Sequence, residues 1–140
     1  MTLRLALLAA GCARRYGGNK LLAVHPASQQ PLLHHVIREY KKAGITDIVV
    51  LTGYWHNAIS ENLPSGVSHQ YVDDWQEGMA ASVRAAAALD LTGYDGLMIG
   101  LGDQAGISAT LISSLITDYA SNPVITATNC QGIIGPPVIF

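Results

Sequence analysis

The chain has few charged residues and few aromatic residues for its length of 140 residues. Its 8 Lys and Arg against 10 Asp and Glu give a net charge of -2, whereas a nucleic-acid partner requires a basic face. No apolar run approaches the roughly 18 residues of a membrane-spanning helix. We therefore expect neither nucleic acid nor membrane among its partners.

Cysteine is also scarce. The two cysteines, Cys12 and Cys130, form neither a closely spaced metal-binding pair nor a disulfide framework. Such cysteine usage is typical of a reducing compartment, so we expect a cytoplasmic protein. The length is that of one domain, and we expect residues 1–140 to form a single domain with its own core.

Apolar runs of strand length alternate with amphipathic helical segments along the chain. The predicted strands cover residues 3–9, 47–51, 67–72, 96–101 and 124–127. The predicted helices cover residues 31–44, 55–62, 78–91 and 108–119. In the first, one face carries Leu33, Val36, Ile37 and Tyr40; the last is capped by Ser108 and turns Leu111, Ile112, Leu115 and Ile116 inward. Strands that lack polar alternation and are separated by helices indicate a parallel sheet covered on both faces. The sequence therefore predicts a three-layer α/β/α, Rossmann-like domain with a mostly parallel sheet.

The first apolar run has two competing interpretations. Residues 5–10 could be the apolar part of a secretion signal, with Cys12 as a lipidated first residue of the mature protein. That run is shorter than the roughly 7 to 15 residues of a typical signal core. Cleavage would also remove the first strand of the predicted sheet. The strand interpretation is therefore favoured, and a mature protein beginning at Cys12 would be needed to support the other.

A loop rich in glycine and positive charge follows this strand. Its glycines and cations are Gly11, Gly17, Gly18, Arg14, Arg15 and Lys20. Glycines let backbone N–H groups approach an anion closely, and the cations supply charge around it. The loop has neither the ending of a Walker loop nor the glycine spacing of a dinucleotide fingerprint. It is either a phosphate-binding loop or a solvated basic turn, and its place after the first strand favours the former.

Several blocks of sequence resemble one known family. They are Leu8-Ala-Ala-Gly11 with Arg15, Gly17 and Lys20; Pro31-Leu-Leu with His35; Asp74-Trp75 with Gly78, Met79 and Ser82; Leu101 with Asp103-Gln104; and Gly132 with Gly135 and Pro137. They occur in the family's order and span nearly the whole chain. The chain thus resembles the MobA-like nucleotidyltransferases, which include the molybdenum-cofactor cytidylyl- and guanylyltransferases.

This resemblance implies transfer of a nucleoside monophosphate from an NTP to a phosphorylated small acceptor, such as molybdopterin cofactor, with release of pyrophosphate. It implies catalytic roles for Lys20, Arg15 and Asp103, with Asp103 as a ligand of Mg²⁺. The residues that it places around the nucleotide are Ala9, Ala10, Gly11, Arg15, Gly17, Lys20, Gly78 and Ser82. In this family alanine at the place of Ala10 accompanies CTP and glycine accompanies GTP, so CTP is expected.

Two of these residues have structural alternatives. Asp103 could be a helix-capping or loop aspartate, since aspartate favours both places. Ser82 could be a small helix residue packed on the sheet. Neither alternative is excluded by spacing alone.

The sequence departs from the family pattern at several positions. Ala13 lacks the hydroxyl that is usual there, Val72-Asp73 replaces Asn-Pro, and Ala105 replaces a proline. Relatives continue beyond Phe140 through a Gly-Asp segment that supplies a second metal ligand. We therefore expect the chain to lack a C-terminal segment, and its apolar last residues either to make an oligomer contact or to cause aggregation. The alternative function is a non-catalytic nucleotide-binding fragment or degraded relative.

Overall fold

The protein is described by a computed structural model that covers residues 1–11 and 18–140. The predictions made for Cys12, Ala13, Arg14, Arg15 and Gly17 lie outside the described residues. The strands and α-helices, in chain order, are β1 (Leu3–Ala9), α1 (Leu32–Lys42), β2 (Asp47–Thr52), α2 (His56–Ser60), β3 (Ser68–Tyr71), α3 (Met79–Ala87), β4 (Gly96–Leu101), α4 (Ala109–Ser121), β5 (Thr126–Cys130) and β6 (Ile133–Ile139). Short 3-10 helices lie at Lys20–Leu22 and Trp75–Glu77.

The strands form one mixed sheet in the order β3-β2-β1-β4-β6-β5. β1 lies in the middle and pairs in parallel with β2 and with β4, while β3 pairs in parallel with β2. β6 runs antiparallel to both β4 and β5. The predicted, mostly parallel sheet is confirmed, and residues 3–9 form the strand that the favoured interpretation assigned to them.

Side chains of β1 alternate between two apolar layers, as the period of a strand requires. Leu5 and Leu7 are fully buried in a cluster that also holds α1 and α4. Ala6 and Leu8 face the other side, in a cluster that includes Ala81 of α3. Helices therefore cover both faces of the central strands, and the predicted three-layer α/β/α architecture is confirmed. Within the described residues, no helix is both long enough and apolar enough to span a bilayer.

The two longest helices show how far the apolar pattern predicted the inward faces. In α1, the predicted face is buried, because Val36 and Tyr40 are 0% exposed. In α4, Ser108 is the predicted cap, and its hydroxyl accepts a hydrogen bond from the N–H of Leu111 at 3.2 Å. The prediction that Leu111 points inward is wrong, since it is 38% exposed while Ile112 is fully buried.

The region after α4 departs most from the prediction. The strand expected at residues 124–127 lies instead at Thr126–Cys130, and a further strand, β6, follows it. Val124 and Ile125 stay outside the sheet and are 56% and 69% exposed. Two prolines, at 136 and 137, argue against a strand because proline has no N–H to donate. They are accommodated because the pairing register between β5 and β6 shifts at Ala127/Thr128, which leaves that part of β6 irregular.

Candidate active site

A cavity of about 310 Å³ opens where β1 and β4 end. This is the edge of a parallel sheet at which α/β proteins usually bind ligands. The described residues that line the cavity are Leu8, Ala9, Ala10, Gly11, Lys20, Leu21, Trp75, Gly78, Met79, Ser82, Leu101 and Asp103.

The cavity brings together residues that the sequence analysis selected from distant parts of the chain. Those among them that the structure describes are Ala9, Ala10, Gly11, Lys20, Gly78, Ser82 and Asp103. Arg15 and Gly17, which were predicted for the same site, lie outside the described residues. The role of each residue toward a nucleotide remains a prediction.

Lys20 is presented by the short helix Lys20–Leu22. Leu21, the next residue, is 8% exposed and anchors this turn in the core, while the N–H of Ala23 donates to the carbonyl of Lys20 at 3.1 Å. The Lys20 Nζ lies 3.6 Å from the Asp103 Oδ2, and both side chains are about half exposed, at 43% and 50%. An exposed ion pair of this kind contributes only about 0–1 kcal/mol, so either partner can exchange the other for a ligand at little cost.

Asp103 is held beside β1 by the residue that precedes it. The N–H of Gly102 donates to the carbonyl of Leu8 at 2.9 Å. A Cβ at position 102 would lie 3.0 Å from that carbonyl oxygen and 3.2 Å from Leu33 Cδ1, so glycine allows the close approach. The cap of α4 is Ser108, so Asp103 does not cap that helix, and the remaining alternative for Asp103 is a loop aspartate.

The opposite wall of the cavity depends on Gly53, which sequence reasoning missed. A Cβ there would lie 2.5 Å from the carbonyl oxygen of Ala10 and 2.8 Å from Trp75 Cβ. The N–H of the next residue, Tyr54, donates to the same Ala10 carbonyl at 3.2 Å. Gly53 therefore lets the end of β1, the loop after β2 and Trp75 meet. No spacing signal in the sequence indicates this contact, because the residues lie far apart along the chain.

Gly78 and Ser82 enter the cavity from α3. Gly78 has φ 94° and ψ -162°, a backbone conformation that is essentially restricted to glycine. It joins the short helix Trp75–Glu77 to α3, which is a structural reason for glycine independent of any ligand. Ser82 is only 4% exposed and still lines the cavity, so packing and ligand contact are both compatible with its place.

An ion-pair cluster fixes the short helix Trp75–Glu77 against α3. One guanidinium nitrogen of Arg84 lies 2.9 Å from Asp74 Oδ2 and 3.0 Å from Glu77 Oε1. The hydrogen bond from Arg84 holds the pKa of the Asp74 carboxyl below its ordinary value. Asp74 and Arg84 flank the segment from Trp75 to Ser82 in sequence, so this exposed cluster restrains the segment that carries both.

Gln104, the other half of the Asp103-Gln104 motif, contacts β6, the strand next to β4. Its Nε2 donates to the carbonyl of Pro136 at 3.2 Å, which links the loop after β4 to the irregular part of β6. Its Oε1 is buried and has no hydrogen-bond partner among residues 1–11 and 18–140. Gln104 thus connects the cavity loop with the strand that sequence reasoning had not assigned.

Comparison with known proteins identifies the family. The model of the MobA-like NTP transferase domain matches residues 5–140. A curated relative, the bifunctional protein GlmU of Symbiobacterium thermophilum, is 31% identical over 110 residues, which cover 79% of this chain and 23% of that protein. The chain therefore spans about a quarter of the length of such relatives.

Solved structures show the same fold. Rv0371c from Mycobacterium tuberculosis H37Rv aligns with a TM-score of 0.83 and 24% identity over 100% of this chain and 71% of that one. A second structure of Rv0371c, in complex with manganese, gives a TM-score of 0.79 and 23% identity with the same coverage. A putative glucose-1-phosphate thymidylyltransferase from Bacillus anthracis aligns with a TM-score of 0.68 and 27% identity over 86% of this chain and 51% of that one. The resemblance inferred from the sequence is confirmed at the level of the family.

Proposed function

The chain belongs to the MobA-like NTP transferase domain family, and from this premise we propose that it transfers a nucleoside monophosphate from an NTP to a phosphorylated small acceptor. The observation that supports the proposal is the pairing of Lys20 and Asp103, 3.6 Å apart, in the cavity at the ends of β1 and β4. A cation for phosphate and a carboxylate for a metal ion are the two groups that such a transfer needs there.

In the proposed reaction an oxygen of the acceptor phosphate attacks the α-phosphorus of the NTP. A new P–O bond forms, the bond to the β-phosphate oxygen breaks, and pyrophosphate leaves. In this proposal Lys20 neutralises charge that develops on the α-phosphate, and Arg15 helps to hold the triphosphate. The backbone around Ala9, Ala10 and Gly11 borders the nucleotide. Such a reaction depends mainly on alignment and on charge stabilisation.

The described residues fit a metal ion that is bound largely by substrate. No group of three or more His, Cys, Asp or Glu in the described ranges could hold a metal by itself. Mg²⁺ is usually bound through one or two carboxylates together with substrate phosphates and water. Asp103 would supply the carboxylate, and the ion would neutralise phosphate charge. The manganese complex of Rv0371c supports a divalent metal, and Mg²⁺ is the ion we propose.

The nucleotide and the acceptor are finer parts of the proposal. Ala10 lines the cavity. In the family pattern, alanine at this position accompanies CTP and glycine accompanies GTP, so we propose CTP as the nucleotide. A phosphorylated cofactor such as molybdopterin is the proposed acceptor, and the cytoplasm is the proposed location. A non-catalytic nucleotide-binding role is the second candidate. It is favoured by the single carboxylate that the described cavity residues offer a metal.

The test is a titration of CTP and of GTP against the protein over a range of Mg²⁺ concentrations. Lys20→Ala should weaken CTP binding at all Mg²⁺ concentrations, because a cation that contacts phosphate is lost. In the transfer reaction the loss of one such donor should cost about 3 kcal/mol, a factor on the order of a hundred in rate. Asp103→Asn should bind CTP more weakly than the wild type, and this loss of affinity should grow as the Mg²⁺ concentration is lowered.

Lys41→Ala and Asp118→Asn, which change exposed charges away from the cavity, are the matched controls and should behave like the wild type. Equal or tighter binding of GTP would refute the argument from Ala10. A metal-independent effect of Asp103→Asn would refute its role as ligand. CTP binding without pyrophosphate release in the presence of acceptor would favour the non-catalytic alternative.

A further inference from the structure

The cavity has an aromatic side that the proposed roles of Lys20 and Asp103 do not use. Among the described residues that line it, Lys20 and Asp103 are the charged ones, whereas Trp75, Met79, Leu8 and Ala10 present apolar surface. Trp75 is partly buried and packs against the apolar cluster on the α3 side of the sheet. One side of the cavity thus suits phosphates and another suits an apolar, planar group.

The sheet topology places these two sides apart. Asp103 follows β4, on one flank of β1, while Trp75 follows β3 and contacts Gly53 at the end of β2, on the other flank. The end of β1, with Ala10 and Gly11, lies between them. A ligand whose phosphates meet Lys20 and Asp103 therefore extends across the end of β1 to reach Trp75.

The indole of Trp75 is held in place by neighbouring groups. The rings of Tyr54 and Trp75 form a T-shaped pair with centroids 5.5 Å apart and an angle of 82°. Whichever ring presents its edge, Tyr54 covers at most one face of the indole. Close approach at Gly53 and the Arg84 ion pairs hold the backbone of the same segment. An indole that is fixed beforehand loses little freedom when a ring stacks on it.

We propose that Trp75, oriented by Tyr54, stacks on the base of the bound nucleotide and so determines affinity for the nucleoside part of the ligand. The inference rests on the proposed function, since it takes an NTP as the ligand. Stacking is tolerant of base identity because every base has a π-face. Trp75 therefore strengthens binding of CTP and GTP alike, and discrimination between the two falls to the region of Ala10.

The experiment compares CTP with inorganic tripolyphosphate, which has the phosphates but no base, both with Mg²⁺. Trp75→Leu should weaken CTP binding on the order of tenfold and leave tripolyphosphate binding unchanged. Trp75→Phe keeps an aromatic ring and should restore most of the CTP affinity. Tyr71→Leu removes an aromatic ring that is 43% exposed and does not line the cavity, so it is the matched control, with binding of both ligands unchanged.

Fluorescence supplies a second readout that does not depend on the Trp75→Leu variant folding. The chain has two tryptophans, so Trp55→Phe leaves Trp75 as the reporter. CTP should quench its emission and tripolyphosphate should not. Absence of a CTP-specific change would overturn the inference, as would equal losses for both ligands in Trp75→Leu. A wild type that binds tripolyphosphate but not CTP would overturn it too. A wild type that binds neither would overturn the proposed function and this inference with it.

Discussion

The two halves of the sheet differ in how completely they are covered. In β1 and β2, Leu5, Leu7 and Val50 are fully buried between helices. In β6, Ile133 and Ile134 are 76% and 71% exposed. The last charged residue before this hairpin is Asp118, so residues 119–140 carry no Asp, Glu, Lys or Arg. Natural sheet edges usually carry charge that prevents pairing with other chains, and this one does not.

The covered and uncovered halves of the sheet also differ in what they contribute to the cavity. The covered half holds the cavity, because its closely packed strands hold Gly102 and Gly53 so near their neighbours that an added Cβ would lie 3.0 Å and 2.5 Å from a backbone carbonyl oxygen. The uncovered half contributes to the cavity loop the hydrogen bond that Gln104 donates to the carbonyl of Pro136. Another polypeptide could cover its exposed isoleucines. The expected oligomer contact stays a prediction.

The largest expected effect is a loss of stability from truncation in the covered half. Leu7→Ala removes a fully buried side chain of the central strand and should lower the free energy of unfolding by about 2–5 kcal/mol. Ile134→Ala, at a position that is 71% exposed, should change it by less than about 0.5 kcal/mol. Urea denaturation of both variants measures the contrast, and similar losses would show that the hairpin is packed as tightly as the centre.

A smaller effect should follow from filling the close approach at Gly53. Gly53→Ala puts a methyl group within 2.5 Å of the Ala10 carbonyl oxygen and should cost about 1–3 kcal/mol in stability. It should also weaken CTP binding, because Ala10 and Trp75 are displaced together. Gly106→Ala is the control, since nothing lies within 4 Å of a Cβ there. If the two variants matched the wild type equally in stability and in CTP affinity, Gly53 would not position the cavity wall.

The histidine pair on the covered side should make stability depend on pH. His35 stacks on His25 with ring centroids 3.9 Å apart. Burial first, and then the charge of His25, lowers the pKa of His35 below 6.5, with smaller lowering from Lys42 and Arg38 and an opposing contribution from Glu39. Since the unfolded chain binds this proton more readily, stability is full above about pH 6.5 and falls as the pH drops below it.

The measurement is chemical denaturation of the wild type and His35→Gln between pH 8 and pH 5. The variant should lose less stability on acidification than the wild type. His69→Gln, on the exposed edge strand β3, is the control and should retain the wild-type slope. Equal slopes for all three proteins would mean that His35 does not contribute.

Ile134→Lys should have the smallest effect on stability, and it is the sharpest test of the uncovered half of the sheet. The side chain is exposed, so we expect a change within about 0.5 kcal/mol. If the apolar hairpin mediates self-association, the added charge should shift the protein toward monomer in sedimentation at high concentration. A wild type that is monomeric at every concentration would refute the oligomer prediction.

The central strands could be predicted from the sequence because of their environment. Strands covered on both faces lack polar alternation, and residues 3–9, 47–51 and 96–101 show this directly. β6 could not be predicted, because its two prolines are tolerated only where the register shifts against β5. The predicted inward orientation of Leu111 was wrong because both sides of α4 carry apolar residues, and only packing decides which side turns inward.

The sequence by itself determined the order of the strands and α-helices from β1 to α4, the parallel centre of the sheet, the family resemblance and the choice of Lys20 and Asp103 as candidate site residues. Periodicity and motif spacing are local properties, so they can be read along the chain. Only the tertiary structure decided that Lys20 and Asp103 lie 3.6 Å apart, that Gly53 brings Ala10 and Trp75 together, and that the rings of Tyr54 and Trp75 form a T-shaped pair. These contacts join residues far apart in sequence, and packing of the sheet and its loops creates them.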